Sequence, residues 1–225
     1  MKLLKALAPA WTMVLAYAVF CLWARTQLPD RPMATHFNVH LQPDRWRPRD
    51  QALFAPLAVC AAFMALLTLA PFIFPPRGAL ERSAKAYGMA SFGIVAFFAV
   101  AMGSTIGLAL GWPIGIGQVL AAAMGLLFLL LGNFMTKVRP NFIFGVRTPW
   151  TLANEEVWDK THRMAGPAMM AAGLFVLAAG LLRPQDMVPV ILIGAAAPAL
   201  GAVVYSWWLW SKLPPGDKRR MRIGA

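Results

Sequence analysis

The sequence has 225 residues, of which 59% are hydrophobic and 13% are charged, and its formal net charge is +12. Ordinary soluble domains are roughly 45–50% apolar and about 25% charged, so this composition excludes a soluble enzyme and a disordered chain. Only two cysteines are present, which excludes a disulfide-rich scaffold. The chain is therefore predicted to be an integral membrane protein.

Five long stretches of the chain contain no Asp, Glu, Lys, Arg or His. Four of them match the length of one membrane crossing, because a helix rises about 1.5 Å per residue and the hydrocarbon core is about 30 Å thick. The longest, 86–136, is interrupted by Gly111-Trp112-Pro113 and fits two crossings. The stretches lack the period-two alternation of barrel strands, so the prediction is an all-α integral membrane protein with six transmembrane helices. These helices are expected near 7–24, 51–74, 88–110, 115–135, 165–182 and 188–211.

The six spans divide the chain into three regions. Residues 1–87 form an N-terminal two-helix region with a short extracytoplasmic loop domain at 25–50, residues 88–211 form a four-helix region, and 212–225 form a basic tail. A cytoplasmic N-terminus places 15 Lys and Arg residues inside and 6 outside, in accordance with the positive-inside rule. Both termini and the loop 136–164 are therefore expected in the cytoplasm. The basic residues lie next to spans, which favours the lipid bilayer, not nucleic acid, as their partner.

The outer loop 25–50 is rich in proline, so a continuous helix is not expected there. Thr35–Val39 alternates in polarity as a short strand does. His36, His40 and Asp44 are spaced four apart and would share a helical face, as metal ligands do. The alternatives are a hydrogen-bonded surface loop and a surface that contacts an external peptide, for which the aromatic and arginine content is suited.

The inner loop 136–164 is expected to place its aromatic side chains at the headgroup level. Thr151 or Asn154 would cap a short helix with glutamates in its first turn and basic residues near its end. Val157, Trp158 and Thr161 would face the bilayer and make this one interfacial amphipathic helix. Such a helix either braces the neighbouring spans or docks a cytoplasmic partner. The loop has no nucleophile motif or metal-ligand triad, so we expect neither an enzyme nor a cofactor.

The predicted third span carries small residues at Gly103, Gly107 and Gly111. Glycines four apart let another helix approach closely, either within the monomer or across a homodimer seam. The predicted spans contain no Asp, Glu, Lys, Arg or His. This argues against a proton-driven pump or a voltage sensor, but it leaves open a passive pore or a carrier of apolar molecules.

Two segments of the sequence resemble a known protein family. The segment Gly132-Asn133 to His162-Arg163, with Arg139-Pro140-Asn141 and Arg147-Thr148-Pro149-Trp150 inside it, resembles the signature of SdpI-type bacterial immunity proteins. Leu28-Pro29 and Thr35-His36-Phe37-Asn38, continuing to Pro43-Asp44-Arg45-Trp46, resemble the small uncharacterised domain often fused upstream of that signature. Ala153 departs from the pattern, because a serine often precedes the Asn-Glu-Glu run.

The resemblance implies a multi-pass protein of the bacterial cytoplasmic membrane that gives immunity to a secreted toxic peptide. It also implies signalling, in which the protein recruits a cytoplasmic transcriptional repressor. The alternative is a membrane transporter or permease for a small or apolar solute. The toxin-facing residues would be His36, Phe37, Asn38, Asp44 and Trp46. The partner-binding residues would be Asn133, Lys137, Arg139, Asn141, Gly145, Arg147, Thr148, Trp150, Thr151, Asn154, Glu156, Trp158, His162 and Arg163.

Overall fold

The structure is a computed structural model, and it describes residues 2–73 and 77–218, with the backbone alone for 77–79. Within this part of the chain the long helices are α1 (Lys2–Gln27), α2 (Arg49–Ile73), α4 (Ala84–Ala109), α5 (Ile116–Met135), α7 (Glu155–Leu182) and α8 (Met187–Lys212). The short elements are strands β1 (Met33–Phe37) and β2 (Pro43–Arg47) and helices α3 (Arg77–Arg82) and α6 (Pro149–Ala153). Most of the predicted basic tail, 219–225, lies outside the described residues.

The six long helices in the described ranges are each long and apolar enough to cross a membrane. They confirm the predicted all-α membrane fold. Several helices continue past the uncharged stretches, since α1 starts at Lys2 and α7 at Glu155. A charged side chain does not interrupt main-chain hydrogen bonding, so the helix and its apolar segment need not end together.

The long helices pack in the spatial order α2, α1, α4, α5, α7, α8. Strands β1 and β2 pair as an antiparallel hairpin, and near it α1 and α2 share a core that includes Tyr17, Cys21 and Leu53. In the second half of the chain, Val176 of α7 and Met187 of α8 pack with Phe128 of α5. The contact between α4 and α5 joins the first three long helices (α1, α2 and α4) to the last three (α5, α7 and α8).

Helices α5 and α7 are in backbone contact through glycines spaced seven residues apart. A Cβ added to Gly132 would lie 2.6 Å from the carbonyl oxygen of Gly166, and one added to Gly173 would lie 2.7 Å from that of Gly125. No side chain fits at these positions unless the helices separate. Close approach of this kind is how membrane helices associate, since lipid provides no hydrophobic drive between them.

The glycine face predicted on the third span is covered in part by the same chain, since Gly107 is buried, Gly103 is half-buried and Gly111 is exposed. Gly107 is buried against Trp112 and Ile114, and the nearest neighbour of a Cβ at Gly103 is Phe20, at 3.7 Å. Gly111 ends the helix region with a φ of +83°. These contacts favour packing within the monomer over the homodimer seam.

The loop before the fifth span differs from the predicted interfacial helix. Its helical parts are the short helix α6 and the first turns of α7, a single helix of 28 residues that Asn154 caps through its side-chain oxygen and the N–H of Val157. Val157, Trp158 and Thr161 were expected to face the bilayer, but they are 1%, 0% and 0% exposed and pack inside the protein. The prediction was wrong because lipid and a protein core select the same apolar helix face.

Candidate functional site

The bundle has two structured ends. At the hairpin end, β1 and β2 pair antiparallel between α1 and α2, and the hairpin residue Leu41 lies close to Gly117 at the start of α5. At the loop end, the segment 136–154 joins α5 to α7 and contacts the start of α4 and the end of the described chain. The hairpin end contains the residues predicted to face a toxin, and the loop end contains those predicted to bind a cytoplasmic partner.

Trp158 anchors the segment 136–154 at the loop end. Its side chain is 0% exposed, and its indole Nε1–H donates to the carbonyl oxygen of Val138 at 2.8 Å. The indole also stacks on the His162 ring, with 4.2 Å between the ring centroids. The loop is therefore folded against α7.

His162 holds a second point of the same loop. Its Nε2 atom lies 3.0 Å from the main-chain N–H of Val146, and its Nδ1 atom lies 2.8 Å from the carbonyl oxygen of Trp158. An N–H only donates and a carbonyl only accepts, so the neutral ring with its proton on Nδ1 satisfies both contacts.

Gly145 makes the approach between the loop and His162 possible. Its φ is +109°, a conformation that L side chains rarely adopt. A Cβ at this position would lie 2.6 Å from His162 Nε2 and 3.3 Å from the Trp158 ring. Both its dihedral angle and the space around it therefore require glycine.

Side-chain caps fix the remaining turns of the loop. The Asn141 carboxamide oxygen accepts from the N–H groups of Ile143 and Phe144, at 2.8 and 2.9 Å. Thr148 and Thr151 form a reciprocal capping box at the start of α6. These bonds satisfy loop main-chain groups that would otherwise be buried without partners.

Three contacts join the loop to distant parts of the chain. The Ser83 hydroxyl accepts from the N–H of Arg139, and the Thr148 and Ser206 hydroxyls lie 3.0 Å apart. The Asn154 carboxamide donates to the carbonyl oxygen of Asp217 at 2.7 Å. Sequence analysis missed Ser83, Ser206 and Asp217. Only Ser206 gave a signal, because it is a hydroxyl inside an otherwise apolar helix.

The hairpin confirms the predicted extended segment around Thr35. Met33 pairs with Arg47 and Ala34 with Trp46, and Leu41 occupies the turn with a φ of 59°. A cavity of 690 Å³ lies between the hairpin and the adjoining ends of α4 and α5. Its lining is mostly apolar and includes Met33, Ala34, Phe37, Leu108 and Ile114.

The histidines of the hairpin do not converge as they would on a helix. His36 Nδ1 lies 2.6 Å from Asp44 Oδ1 across the two strands. His40 is in the turn, where its main-chain N–H donates to the Asn38 side chain. Across the described residues, no three His, Cys, Asp or Glu side chains are grouped closely enough to hold a metal ion.

The chain matches known proteins in two regions. Residues 137–206 match the SdpI/YfhL protein family, and residues 12–60 match a domain of unknown function, DUF1648. The resemblance to SdpI-type proteins is thus confirmed. The chain is also similar to the protein named Immunity protein SdpI of Bacillus subtilis (strain 168), with 24% identity over 110 residues. This match covers 49% of the chain and 53% of the relative, so it spans about half the length of each. No solved structure matches the chain.

Within and beside the SdpI/YfhL region, the residues predicted to bind a partner fall into two groups. The first group is buried and holds the loop together: Asn141, Thr148, Thr151, Asn154, Trp158 and His162. Gly145 belongs with it by its contacts, although it is half-buried. The second group is exposed: Asn133, Lys137, Arg139, Arg147, Glu156 and Arg163, with Trp150 half-buried beside them. Of the two groups, the second has side chains that a partner would reach in the folded protein.

The exposed group is strongly basic. Lys137, Arg139 and Arg147 lie on the loop, and Arg147 Nη1 donates to the carbonyl oxygen of Phe142 at 2.6 Å. Phe142 is 46% exposed, so the same loop also carries an exposed apolar side chain. The one glutamate of the group, Glu156, is paired with Lys160 at 2.6 Å. This surface is suited to an acidic or amphipathic protein partner.

The residues predicted to face the toxin occupy different parts of the hairpin. His36, Asp44 and Trp46 are exposed, and the Trp46 side chain is 55% accessible. Phe37 is half-buried and lines the 690 Å³ cavity. Asn38 is also half-buried, and its side-chain oxygen caps the turn. Asn38 therefore shapes the hairpin, while the others present surface.

Proposed function

We propose that this multi-pass membrane protein is an immunity factor of the bacterial cell membrane that protects its cell from a secreted toxic peptide. The observation that carries the proposal is the match of residues 137–206 to the SdpI/YfhL family, together with similarity to a protein named for immunity. In the structure, the family region contains the loop that Trp158 and His162 hold in place.

The hairpin end is the proposed toxin-facing surface. Its cavity is large enough for several side chains of a peptide and is lined mainly by apolar groups, with Arg31 as its basic residue. Trp46 adds an exposed aromatic ring on the same hairpin. Aromatic and arginine side chains around an apolar pocket are typical of peptide recognition. The charge distribution along the chain supports an extracytoplasmic location for this end.

The loop end is the proposed docking surface for a cytoplasmic transcriptional repressor. Lys137, Arg139 and Arg147 would supply the charge, and Trp150 would supply an apolar contact. The buried residues of the loop would keep these side chains in a fixed arrangement, which lowers the entropic cost of binding.

Protection is tested by expressing the chain in a Bacillus subtilis strain that lacks its own SdpI and challenging the cells with the secreted killing peptide. The wild-type chain is expected to preserve growth. Ala34→Trp, which fills the hairpin cavity, is expected to abolish protection at unchanged protein level. Val39→Trp is the matched control, because Val39 is 59% exposed in the turn and does not line the cavity. Equal killing with and without the wild-type chain, repeated across a panel of secreted peptides, contradicts the proposal.

Signalling is tested separately with a fluorescently tagged candidate repressor in toxin-treated cells. The triple variant Lys137→Ala, Arg139→Ala, Arg147→Ala is expected to lose membrane recruitment of the repressor while keeping protection. Arg183→Ala is the control, since Arg183 is an exposed arginine that precedes α8 at the hairpin end. Recruitment that survives the triple variant argues against this loop as the docking surface.

A further inference from the structure

A second groove lies on the other side of the hairpin from the 690 Å³ cavity. It has a volume of 410 Å³ and runs between β2, α2 and α4. We call it the arginine groove; its principal lining residues are Arg45, Arg47, Ala55, Val59, Phe98 and Met102. None of these residues lines the first cavity.

The rim of the arginine groove carries two uncompensated positive charges. Arg45 and Arg47 are two residues apart in β2, so their side chains leave the strand on the same face. Both are exposed, and neither has an ion pair within the described residues. Two carboxylates of the hairpin end have other partners: Asp50 pairs with Arg25 and Arg49, and Asp44 is hydrogen-bonded to His36.

The wall of the groove below these arginines is apolar and open to the side. Val59 lies ten residues after the start of α2, which places it about 15 Å along the helix axis from the end of α2 that adjoins β2. The side chains of Val59 and Phe98 are 63% and 41% exposed on the surface of membrane-spanning helices. The groove therefore leads from two cations at the membrane surface into the hydrocarbon region.

We propose that the arginine groove binds an anionic phospholipid, with its phosphate between Arg45 and Arg47 and an acyl chain along Val59, Phe98 and Met102. Guanidinium groups bind phosphate oxygens in paired hydrogen bonds, and two on one strand face suit one headgroup. A lipid fits better than a peptide, because the apolar wall is reached from within the bilayer. The site is independent of the proposed immunity function, and lipid binding is measured without any toxin.

Photolabelling tests the position of the lipid. The full-length protein is reconstituted in nanodiscs that contain phosphatidylglycerol with a diazirine in one acyl chain, and labelled peptides are mapped by mass spectrometry. Labelling is expected to concentrate on α2 around 55–59 and on α4 around 98–102. The same label on phosphatidylcholine is expected to spread over all exposed helix faces. An identical pattern from the two lipids would show annular lipid alone and overturn the proposal.

Substitutions test the two halves of the site by native mass spectrometry with added phosphatidylglycerol. Arg45→Gln and Arg47→Gln are each expected to weaken binding about fivefold, as each arginine near an anionic headgroup is worth about that factor. Arg31→Gln is the charge control, because Arg31 is exposed on the same end but lines the other cavity. Equal losses in all three variants would mean general attraction, and the site would be refuted.

Filling the groove provides the second test. Ala55→Trp is expected to displace the acyl chain and weaken phosphatidylglycerol binding without unfolding, because Ala55 is exposed. Ala58→Trp, at an exposed position of α2 that does not line the groove, is the matched control. If Ala55→Trp binds the lipid as wild type does, the acyl chain lies elsewhere and the proposal fails. Binding of an acidic peptide that phosphatidylglycerol does not compete for would assign the groove to a different ligand.

Discussion

Trp158 and His162 lie one helical turn apart on α7, and together they satisfy main-chain groups at two points of the loop. The indole holds the carbonyl oxygen of Val138, and the imidazole holds the N–H of Val146. The two rings stack, so displacement of one ring removes packing from the other. At the scale of residues, the loop conformation depends on this pair.

Trp158→Phe isolates the indole hydrogen bond. Phenylalanine keeps an aromatic ring in the core but leaves the buried carbonyl of Val138 without its donor. We expect the free energy of unfolding to fall by about 1–3 kcal/mol, measured by denaturant unfolding in detergent. Trp150→Phe is the control at a half-buried position, with an expected change below about 0.5 kcal/mol. Equal changes in the two variants would contradict the role of the hydrogen bond.

Gly145→Ala tests the positive φ at the centre of the loop. The new Cβ meets His162 and adopts a disfavoured dihedral angle, so we expect a loss of about 1–3 kcal/mol or more in the free energy of unfolding. Gly201→Ala is the control on α8, since a Cβ there meets no atom within 4 Å. It is expected to leave the unfolding midpoint unchanged or raise it, because alanine favours helix. A midpoint for Gly145→Ala at or above that of the control is the contrary result.

Among the elements, the pair α5 and α7 shows close backbone approach at four glycines. Gly125 and Gly132 face Gly173 and Gly166 with no side chain between the helices. The same seven-residue spacing continues at Gly180, which lies against Ala121. This packing joins α5, which borders the hairpin cavity, to α7, which carries Trp158.

Gly132→Ala is expected to force α5 and α7 apart, because its Cβ would lie 2.6 Å from the main-chain oxygen of Gly166. The expected cost is about 1–3 kcal/mol in the free energy of unfolding, measured in the same detergent. Gly103→Ala is the matched helical control: its Cβ would meet Phe20 at an ordinary 3.7 Å. Destabilisation by Gly103→Ala as large as that by Gly132→Ala would instead support a tight seam at Gly103.

The spans were predictable from the sequence, whereas the packing between them was not. Missing charges located all six crossings, since burial of an ion in hydrocarbon is costly along the whole helix. An apolar pattern alone does not show which helix face meets lipid, as the burial of Val157 and Thr161 in the neighbouring loop region illustrates. The spacing of Gly125, Gly132, Gly166 and Gly173 was a readable signal for close packing, but a period of seven is less familiar than glycines four apart.

In the candidate site, the local contacts were predictable from the sequence, whereas the contacts between distant parts of the chain were not. The capping role of Asn154 and the extended segment around Thr35 follow from local sequence, because their partners are a few residues away. The contacts of Asn154 with Asp217 and of Thr148 with Ser206 join residues about 60 positions apart. No local pattern encodes such pairs, since they depend on how the helices are arranged.

For the whole molecule, the two structured ends are expected on opposite sides of the membrane. Single cysteines at Trp46→Cys and Arg147→Cys test this, because both positions are exposed. A membrane-impermeant maleimide applied to intact cells is expected to label position 46 and not 147, as the positive-inside rule implies. The native Cys21 and Cys60 are buried and are expected to contribute little background.

Permeabilised cells provide the control for this labelling, since both positions should then react. Labelling of position 147 in intact cells, with position 46 protected, would invert the proposed topology. It would also place the hairpin cavity and the arginine groove on the cytoplasmic side.

The glycine contacts between α5 and α7 have a mechanical consequence. Two helices that touch backbone to backbone cannot slide or rotate independently, so they move as one rigid unit across the bilayer. The 20 residues of α5 give this unit a length of roughly 30 Å. A tilt of only about 3° at the cavity would then displace the opposite end by about 1.5 Å, comparable to the rise of one helical residue.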